Sequence, residues 1–253
     1  MYANQLSGVE SARRVGKGLG AKAIDCRSCG LHGLCRIAGL DEQDQSLIDR
    51  VVTRRKEVAA GDKLLRAGQK LDAVIAVRSG AFKLSARLKG AEEQIVGFVL
   101  PGELLGLEAL GGARYPYDVE ALEGSTVCRF SFAQLSLLES RLDDVQQQLI
   151  LAMGRQARVG QTVPLLLGAK NADQRIALFL LGLSSRLTEH GFAGRKFRLP
   201  MSRHSIASYL GLAMETVSRV FKRLHASGVL HVRARQIEMI DMQQLRLIAG
   251  LQH

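Results

Sequence analysis

The chain has 253 residues, of which 47% are hydrophobic and 23% are charged, and its formal net charge is +11. This is the length and composition of a globular protein with one large or two average domains. A membrane helix is excluded because no run of 18 or more apolar residues occurs, and residues 1–25 lack the apolar segment of a secretory signal, so we expect a cytoplasmic protein.

The first half of the chain begins with a segment, residues 1–25, that is rich in Gly, Ala and Arg and is interpreted as a mobile arm. A cysteine cluster follows at residues 26–35, and residues 41–52 have the apolar spacing of a short helix that begins near Asp41. Glycines then separate short apolar or alternating segments at 71–77, 81–88, 94–100 and 119–132, the last of which contains Glu123-Gly124. This spacing predicts an all-β sandwich or barrel.

Residues 142–166 change to a pattern in which apolar residues recur by alternating steps of three and four. Such a pattern is typical of a helix that pairs with a second copy of itself, although it also fits a helix packed on its own domain. The predicted dimer seam consists of Val145, Leu149, Ala152, Val159 and Val163. Gly160 and Pro164 are poor helix residues, and we expect a kink or break near them because proline has no backbone N–H.

The C-terminal part carries most of the basic excess, with nine Lys and Arg residues but only one acid, Glu215, from residue 195 to 235. This charge is typical of a phosphate-binding surface, although it also fits a solvated basic face. Asn171 caps a predicted helix at 172–189, and Ser202 caps a second at 203–209. Gly211 provides a turn, a third helix spans 213–226, and residues 229–240 alternate as a hairpin. This order predicts a winged helix-turn-helix.

In a helix-turn-helix, the first residues of the second helix contact base edges in the major groove of DNA. Glu215, Ser218 and Arg219 occupy this place, and arginine can bond guanine while glutamate can accept from cytosine. The alternative for Glu215 and Arg219, which lie at i and i+4, is a surface ion pair. The predicted phosphate contacts, which position the protein without reading sequence, are Arg203, Thr216, Lys222 and Arg223.

The chain has four cysteines, three of them in the pattern C-x2-C-x5-C and the fourth on a predicted strand: Cys26, Cys29, Cys35 and Cys128. A set of disulfides is not expected in a cytosolic protein. Four thiolates can hold either a structural zinc ion or an iron–sulfur cluster, and the spacing alone leaves both open. A buried thiol without a metal is the further alternative for Cys128.

Five motifs of the sequence are C-R-S-C-G-L-H-G-L-C, A-V-R-S-G-A-F-K, E-E-Q-I-V-G-F-V-L-P-G-E-L-L-G, S-T-V-C and Y-L-G-L-A-M-E-T-V-S-R-V. Together they resemble the FNR branch of the CRP/FNR transcription regulators, over about residues 26–250. The resemblance implies an α+β fold with a cyclic-nucleotide-binding-like β-roll, a long dimerisation helix and a C-terminal winged helix-turn-helix. The implied boundaries are a mobile arm at 1–25, the cluster loop and β-roll at 26–140, the helix at 141–170 and the DNA-binding domain at 171–253.

The resemblance also implies a function for the cysteines, which would hold a [4Fe–4S] cluster that oxygen degrades. The homodimer would therefore be active without oxygen, would bind palindromes of TTGAT-like half-sites through Glu215, Ser218 and Arg219, and would contact RNA polymerase. Gly160 and Pro164 depart from the family's pattern, and we expect them to alter dimerisation. The alternative is a regulator of the same fold with a structural zinc site or a small-molecule effector in the β-roll.

Two other functions are not expected from the sequence. Gly102-Glu103 resembles the start of a phosphate-binding cassette for cyclic nucleotides, but Tyr115-Pro116 stands where that cassette needs an arginine. A cyclic nucleotide would lack its main partner, so none is expected to bind. The chain also has no Gly-rich nucleotide loop and no evident nucleophile with its base, and we therefore predict that it is not an enzyme.

Overall fold

The structure is a computed structural model that describes residues 52–87, 93–107, 114–131 and 171–251, together with residues 29, 147, 150–154, 157 and 168. The predicted N-terminal arm and most of the predicted dimerisation helix lie outside these residues. The predicted helix near Asp41 also lies outside them, except for its last residue. That residue, Val52, begins the first strand, so the helix cannot extend as far as predicted.

The N-terminal domain consists, in its described part, of two four-stranded antiparallel sheets. Their strands are β1 (Val52–Val58), β2 (Lys63–Leu65), β3 (Ala73–Ser79), β4 (Phe82–Arg87), β5 (Glu93–Val99), β6 (Leu104–Leu105), β7 (Asp118–Ala121) and β8 (Ser125–Ser131). One sheet has the strand order β1-β8-β3-β6 and the other β2-β7-β4-β5. Val77, Phe82 and Val119 are among the apolar side chains that form the core, which confirms the predicted β-roll.

The apolar pattern predicted β3, β4, β5, β7 and β8 but not the edge strand β1 or the short strands β2 and β6. The segments at 71–77, 81–88 and 94–100 correspond to β3, β4 and β5, and the segment at 119–132 forms β7 and β8 on either side of Glu123-Gly124. Strand β1 was not predicted because its sequence, VTRRKEV, has little apolar alternation, as is common for a strand at a sheet edge. Strands β2 and β6 have only three and two residues, which is too short for a periodic signal.

Gly80, in the turn between β3 and β4, is required both for its backbone conformation and for its lack of a side chain. Its φ is +78°, and a Cβ atom there would lie 2.1 Å from Ser125 Oγ and 2.7 Å from Ser125 Cα. Gly61 has a similar φ of +85°, but a Cβ atom there would have no neighbour within 4 Å. Substitution of Gly61 by alanine therefore measures the free-energy cost of the backbone conformation alone, whereas substitution of Gly80 adds the cost of the clash.

We expect Gly80→Ala to lower the free energy of unfolding by about 2–4 kcal/mol, because the left-handed conformation and the clash with Ser125 both oppose the fold. Gly61→Ala should cost only about 1–2 kcal/mol, which is the conformational part alone. Chemical denaturation followed by circular dichroism measures both values. Equal losses in the two variants would mean that the turn relaxes and that the close approach to Ser125 is unimportant.

The C-terminal domain is a winged helix-turn-helix, as predicted. Its elements are α1 (Ala172–Glu189), β9 (Lys196–Arg198), α2 (Arg203–Leu210), α3 (Met214–Ala226), β10 (Leu230–Arg233), β11 (Gln236–Met239) and α4 (Met242–Ala249). The side chains of Asn171 and Ser202 accept hydrogen bonds from Gln174 N and Ser205 N and so cap α1 and α2. None of the helices in the described ranges is long and apolar enough to cross a membrane.

Two elements of this domain were not predicted, and two boundaries differ slightly. Strand β9 adds a third strand to the predicted hairpin, with the order β10-β11-β9, and α4 packs against α1. Helix α2 extends one residue further, to Leu210, and α3 begins at Met214 with Ala213 as its N-cap. The apolar residues by which α2 and α3 pack into the core are all buried: Ile206, Leu210, Val217, Phe221 and Leu224.

Residues 150–154, within the predicted dimerisation helix, are helical in the structure. Ala152 is buried in the single chain, with only 3% of its surface exposed, whereas Ile150 and Met153 expose 66% and 40%. A seam residue is exposed until the second copy covers it, so Ala152 lies on the wrong face for the predicted seam. Ile150, Met153 and Ala157 follow steps of three and four and are all exposed. The other predicted seam residues, Val145, Leu149, Val159 and Val163, lie outside the described residues.

The two domains share a hydrophobic core, which the sequence did not predict. Ile95, Phe98 and Leu100 of the β-roll belong to the same cluster of buried residues as Ile176 and Phe179 of α1. The described β-roll and the winged helix-turn-helix are therefore packed against each other rather than joined only by a linker.

Candidate DNA-binding surface and cysteine site

The predicted base-reading residues lie together on the outer side of α3. Glu215 and Arg219 are exposed and Ser218 is half-buried, whereas Val217 and Val220 face the core. Glu215 lies in the first turn of α3, where a carboxylate interacts favourably with the helix dipole. We call Glu215, Ser218 and Arg219 the reading face. The β-roll does not cover it in this arrangement.

The alternative interpretation, an ion pair between Glu215 and Arg219, is not observed. Instead, Arg219 Nη2 donates a hydrogen bond of 3.3 Å to Thr216 Oγ1, one turn earlier on the same helix. Within the described residues, Glu215 forms no ion pair. Both charged side chains of the reading face are therefore available to a ligand.

The predicted phosphate contacts differ in their surroundings. Lys222 is exposed and, among the described residues, has no ion-pair partner. Arg223 instead forms three hydrogen bonds with the carboxylate of Asp173 at 2.6–3.0 Å. Arg203 stacks over the Phe221 ring, with its Cζ atom 3.4 Å from the ring centroid, and burial lowers the pKa of its guanidinium to about 10. Arg203 and Arg223 thus also hold α2 and α1 against α3.

Not all of the nine basic residues between positions 195 and 235 are available to bind phosphate, because several already have a partner within the protein. Within the basic region, several side chains bond to groups of the protein itself. Besides Arg203 and Arg223, these are Arg195 to backbone carbonyls of Met239 and Ile240, Lys196 to Glu238, Arg198 to Glu123 and Arg235 to the Pro200 carbonyl. Arg233 at the end of β10 is exposed, and sequence reasoning did not single it out. It lies within the predicted hairpin, and the strand pairing places it opposite Gln236 of β11.

The structure describes two of the four cysteines, Cys29 and Cys128, and both are half-buried. Cys128 is a free thiol in the middle of β8, which pairs with β1 on one side and β3 on the other. Its register partner on β3 is Ala76. Cys26 and Cys35 lie outside the described residues. Among the residues that the structure does describe, no three metal-binding side chains lie together. A free, half-buried thiol on a rigid strand fits a metal ligand.

Glu103, at the start of the candidate cyclic-nucleotide cassette, is bonded to the protein's own groups. Both carboxylate oxygens of Glu103 accept hydrogen bonds from Arg186 at 2.6 Å, and one also accepts from Leu100 N at 2.8 Å. Burial alone would lower the pKa of Arg186, but the Glu103 carboxylate outweighs this effect and raises it above its usual value. Tyr115, at the place where a cassette arginine would stand, is completely buried in the β-roll core.

Comparison with known proteins identifies the family of both domains. Residues 55–139 match the model of a cyclic nucleotide-binding domain, and residues 174–248 match that of a Crp-like helix-turn-helix domain. The chain is 43% identical to the transcriptional activator protein FnrA of Stutzerimonas stutzeri, over 89% of this chain and 92% of that protein. The chain belongs to the CRP/FNR family of transcription regulators.

Further relatives agree with this CRP/FNR assignment. The fumarate and nitrate reduction regulatory protein of Escherichia coli K12 is 37% identical over 91% of this chain and 92% of its own length. The solved structure of FixK2 from Bradyrhizobium japonicum superposes with a TM-score of 0.70 at 31% identity, over 78% of this chain and 97% of that one. The CRP/FNR chain described here is thus a DNA-binding transcription regulator of the FNR branch, and its relatives are regulators rather than enzymes.

Proposed function

We propose that this chain is an oxygen-responsive transcription regulator of the cytoplasm that binds TTGAT-like palindromes as a homodimer and then contacts RNA polymerase. The proposal rests on its likeness to proteins named FnrA and fumarate and nitrate reduction regulatory protein. The observation that carries it is the reading face, where Glu215 and Arg219 are exposed on the first turns of α3 and are not paired with each other.

The reading face has the chemistry to read the bases of such a half-site. The guanidinium of Arg219 can donate two hydrogen bonds to guanine, and the carboxylate of Glu215 can accept from the amino group of cytosine. Ser218 contributes a hydroxyl between them. Lys222 and Thr216 on the same helix would contact phosphates. Arg203 and Arg223 would also contact phosphates while they keep their contacts with Phe221 and Asp173.

The proposed homodimer would use the apolar face formed by Ile150, Met153 and Ala157. These three positions are exposed in the single chain and lie on one side of the helix, which is the arrangement that a second copy can cover. A two-fold dimer places one α3 in each of two successive major grooves, and this symmetry requires a palindromic site.

The four cysteines Cys26, Cys29, Cys35 and Cys128 would hold the proposed [4Fe–4S] cluster. When bound, such a cluster supplies a redox-sensitive group that oxygen can attack. The chain's own part is to present Cys128 from a strand that is hydrogen-bonded on both sides, so that this ligand is fixed in place. The loop from residue 26 to 35 supplies the other three ligands from one short segment.

Anaerobic purification followed by visible spectroscopy and iron and sulfide analysis tests this function. We expect a brown protein with iron and sulfide in equal amounts, which air bleaches and which sediments as a dimer and binds a TTGAT-type palindrome only before bleaching. A colourless protein that contains zinc and binds DNA equally well in air would contradict the cluster and support the alternative of a zinc-stabilised regulator. Failure to prefer the palindrome over a scrambled duplex would contradict the assigned DNA site.

A further inference from the structure

The contact between the β-roll and the DNA-binding domain includes a shielded ion pair, that of Glu103 and Arg186. Glu103 follows the turn after β5, and Arg186 lies in the last turn of α1. Arg186 Nε donates to Glu103 Oε1 at 2.6 Å, and Arg186 Nη2 donates both to Glu103 Oε2 and to the Phe98 carbonyl at 2.6 Å. One arginine thus bonds a side chain and the backbone of the other domain.

This pair is sheltered from solvent, which distinguishes it from a surface ion pair. Glu103 and Arg186 expose only 10% and 16% of their side chains. A bidentate arginine–carboxylate pair fixes the relative orientation of the two groups as well as their distance. Removal of either charge would leave the other one buried without its partner, which destabilises an interface far more than the loss of an exposed pair.

A second set of contacts lies at the other end of the interface, where edge strand β5 meets α2. Ile95 N donates to Ser208 Oγ at 3.2 Å, and the Gln94 side chain donates to the Ser208 carbonyl. Between the two ends, the Phe98 ring makes edge contacts with Tyr209 at 5.3 Å and with Phe179 at 6.2 Å between centroids. The DNA-binding domain is therefore held at separate points, and contacts at separate points oppose its rotation on the β-roll.

The interface contacts α1, α2 and β9, where Arg198 pairs with Glu123 at 2.9 Å, and it leaves the reading face of α3 open. We propose that Glu103 and Arg186 are positioning residues that hold each DNA-binding domain at a fixed angle to the β-roll, and so set the spacing between half-sites that the dimer accepts. This inference rests on the proposed function, because it needs a dimer that binds two half-sites. The pair touches no DNA and acts only through the direction it imposes on α3.

Half-site spacing provides the test, because one added base pair moves and rotates one half-site relative to the other by about a tenth of a helical turn. The full chain, purified anaerobically, is titrated with a palindrome of the best spacing and with one that has a single base pair inserted at its centre. The variants are Glu103→Gln, Arg186→Gln and the double variant. Glu120→Gln is the matched control, because Glu120 pairs with Lys83 at 3.3 Å within the β-roll.

We expect the wild type and Glu120→Gln to prefer the better spacing strongly, and both single variants to lose most of that preference, by about 10-fold in the affinity ratio. The double variant should lose no more than either single one, because the two residues act as a pair. Ser208→Ala removes a hydroxyl that bonds Ile95 N across the same interface and is a milder change. It should also reduce the preference for the better spacing, and it replaces the charge variants in the test if they do not fold.

The outcomes separate this inference from the proposed function. If the wild type does not prefer either palindrome over a scrambled duplex, the proposed DNA site is wrong and the positioning role fails with it. If the wild type discriminates between the spacings and folded Glu103→Gln or Ser208→Ala proteins discriminate equally well, only the positioning role is overturned. Additive losses in the double variant would likewise overturn the pairing of Glu103 with Arg186.

Discussion

Replacement of Cys128 by serine should abolish the proposed [4Fe–4S] cluster and, with it, DNA binding under anaerobic conditions. Serine keeps the size and position of the side chain but offers a hydroxyl in place of a thiolate, which is the ligand that iron–sulfur clusters require. Because Cys128 lies in the middle of β8, between β1 and β3, no neighbouring residue can shift to replace it. We expect the iron content and the visible absorbance of the anaerobic protein to fall by more than about 10-fold.

The matched control for this change is Ser131→Ala, at the end of the same strand, where Ser131 pairs with Ala73. It should keep iron, colour and DNA affinity at wild-type levels, and circular dichroism should find both variants folded. A folded Cys128→Ser protein with the full iron content would contradict the role of Cys128 as a ligand. The cluster would then have to be held by the three N-terminal cysteines and a different fourth group.

Substitution of Arg219 by alanine should weaken binding to the preferred palindrome by about 1–3 kcal/mol per half-site and relax the preference at one base position. The guanidinium is exposed and its only hydrogen bond within the described residues, to Thr216, is long at 3.3 Å, so little of the protein's own structure is lost. The loss should therefore come from the missing base contact. Binding titrations against half-sites changed one base pair at a time measure it.

Lys222→Ala is the matched comparison, because Lys222 lies three residues further along the same helix and is also exposed. It should weaken binding to all sequences about equally and reduce the slope of log affinity against log salt by about 1, as expected for one lost phosphate contact. If both variants lost affinity equally at every sequence, Arg219 would be a phosphate contact and the reading face would be wrongly assigned.

The winged helix-turn-helix could be predicted from local sequence because each of its signals lies close to the structure it specifies. Asn171 and Ser202 cap the helices that follow them, and Gly211 adopts the left-handed conformation that its turn requires. The reading face followed from its distance to that turn. Strand β9 and helix α4 were not predicted, because one is too short for a periodic signal and the other packs on α1 by contacts distant in sequence.

For the predicted dimerisation helix, the sequence alone could not decide which face of the helix is left for a second copy. The steps of three and four residues predicted a seam through Ala152, but this residue faces its own chain and Ile150 and Met153 are exposed. Among residues 150–154, one apolar side chain is buried within the chain and others are exposed, so apolar residues occur on more than one side of this helix. Periodicity finds an apolar stripe but does not say what covers it.

By itself, the sequence predicted the winged helix-turn-helix, the reading face and the four candidate ligands, because caps, turns and cysteine spacing act over a few residues, and its resemblance to a known family implied the β-roll. Only the tertiary structure decided which charges are available. Arg223 and Arg186 are equally basic in the sequence, yet one bonds Asp173 on α1 and the other bonds Glu103 across the domain interface. These partners lie 50 and 83 positions away in the chain, and no local pattern relates residues that only the packing of the two domains brings together.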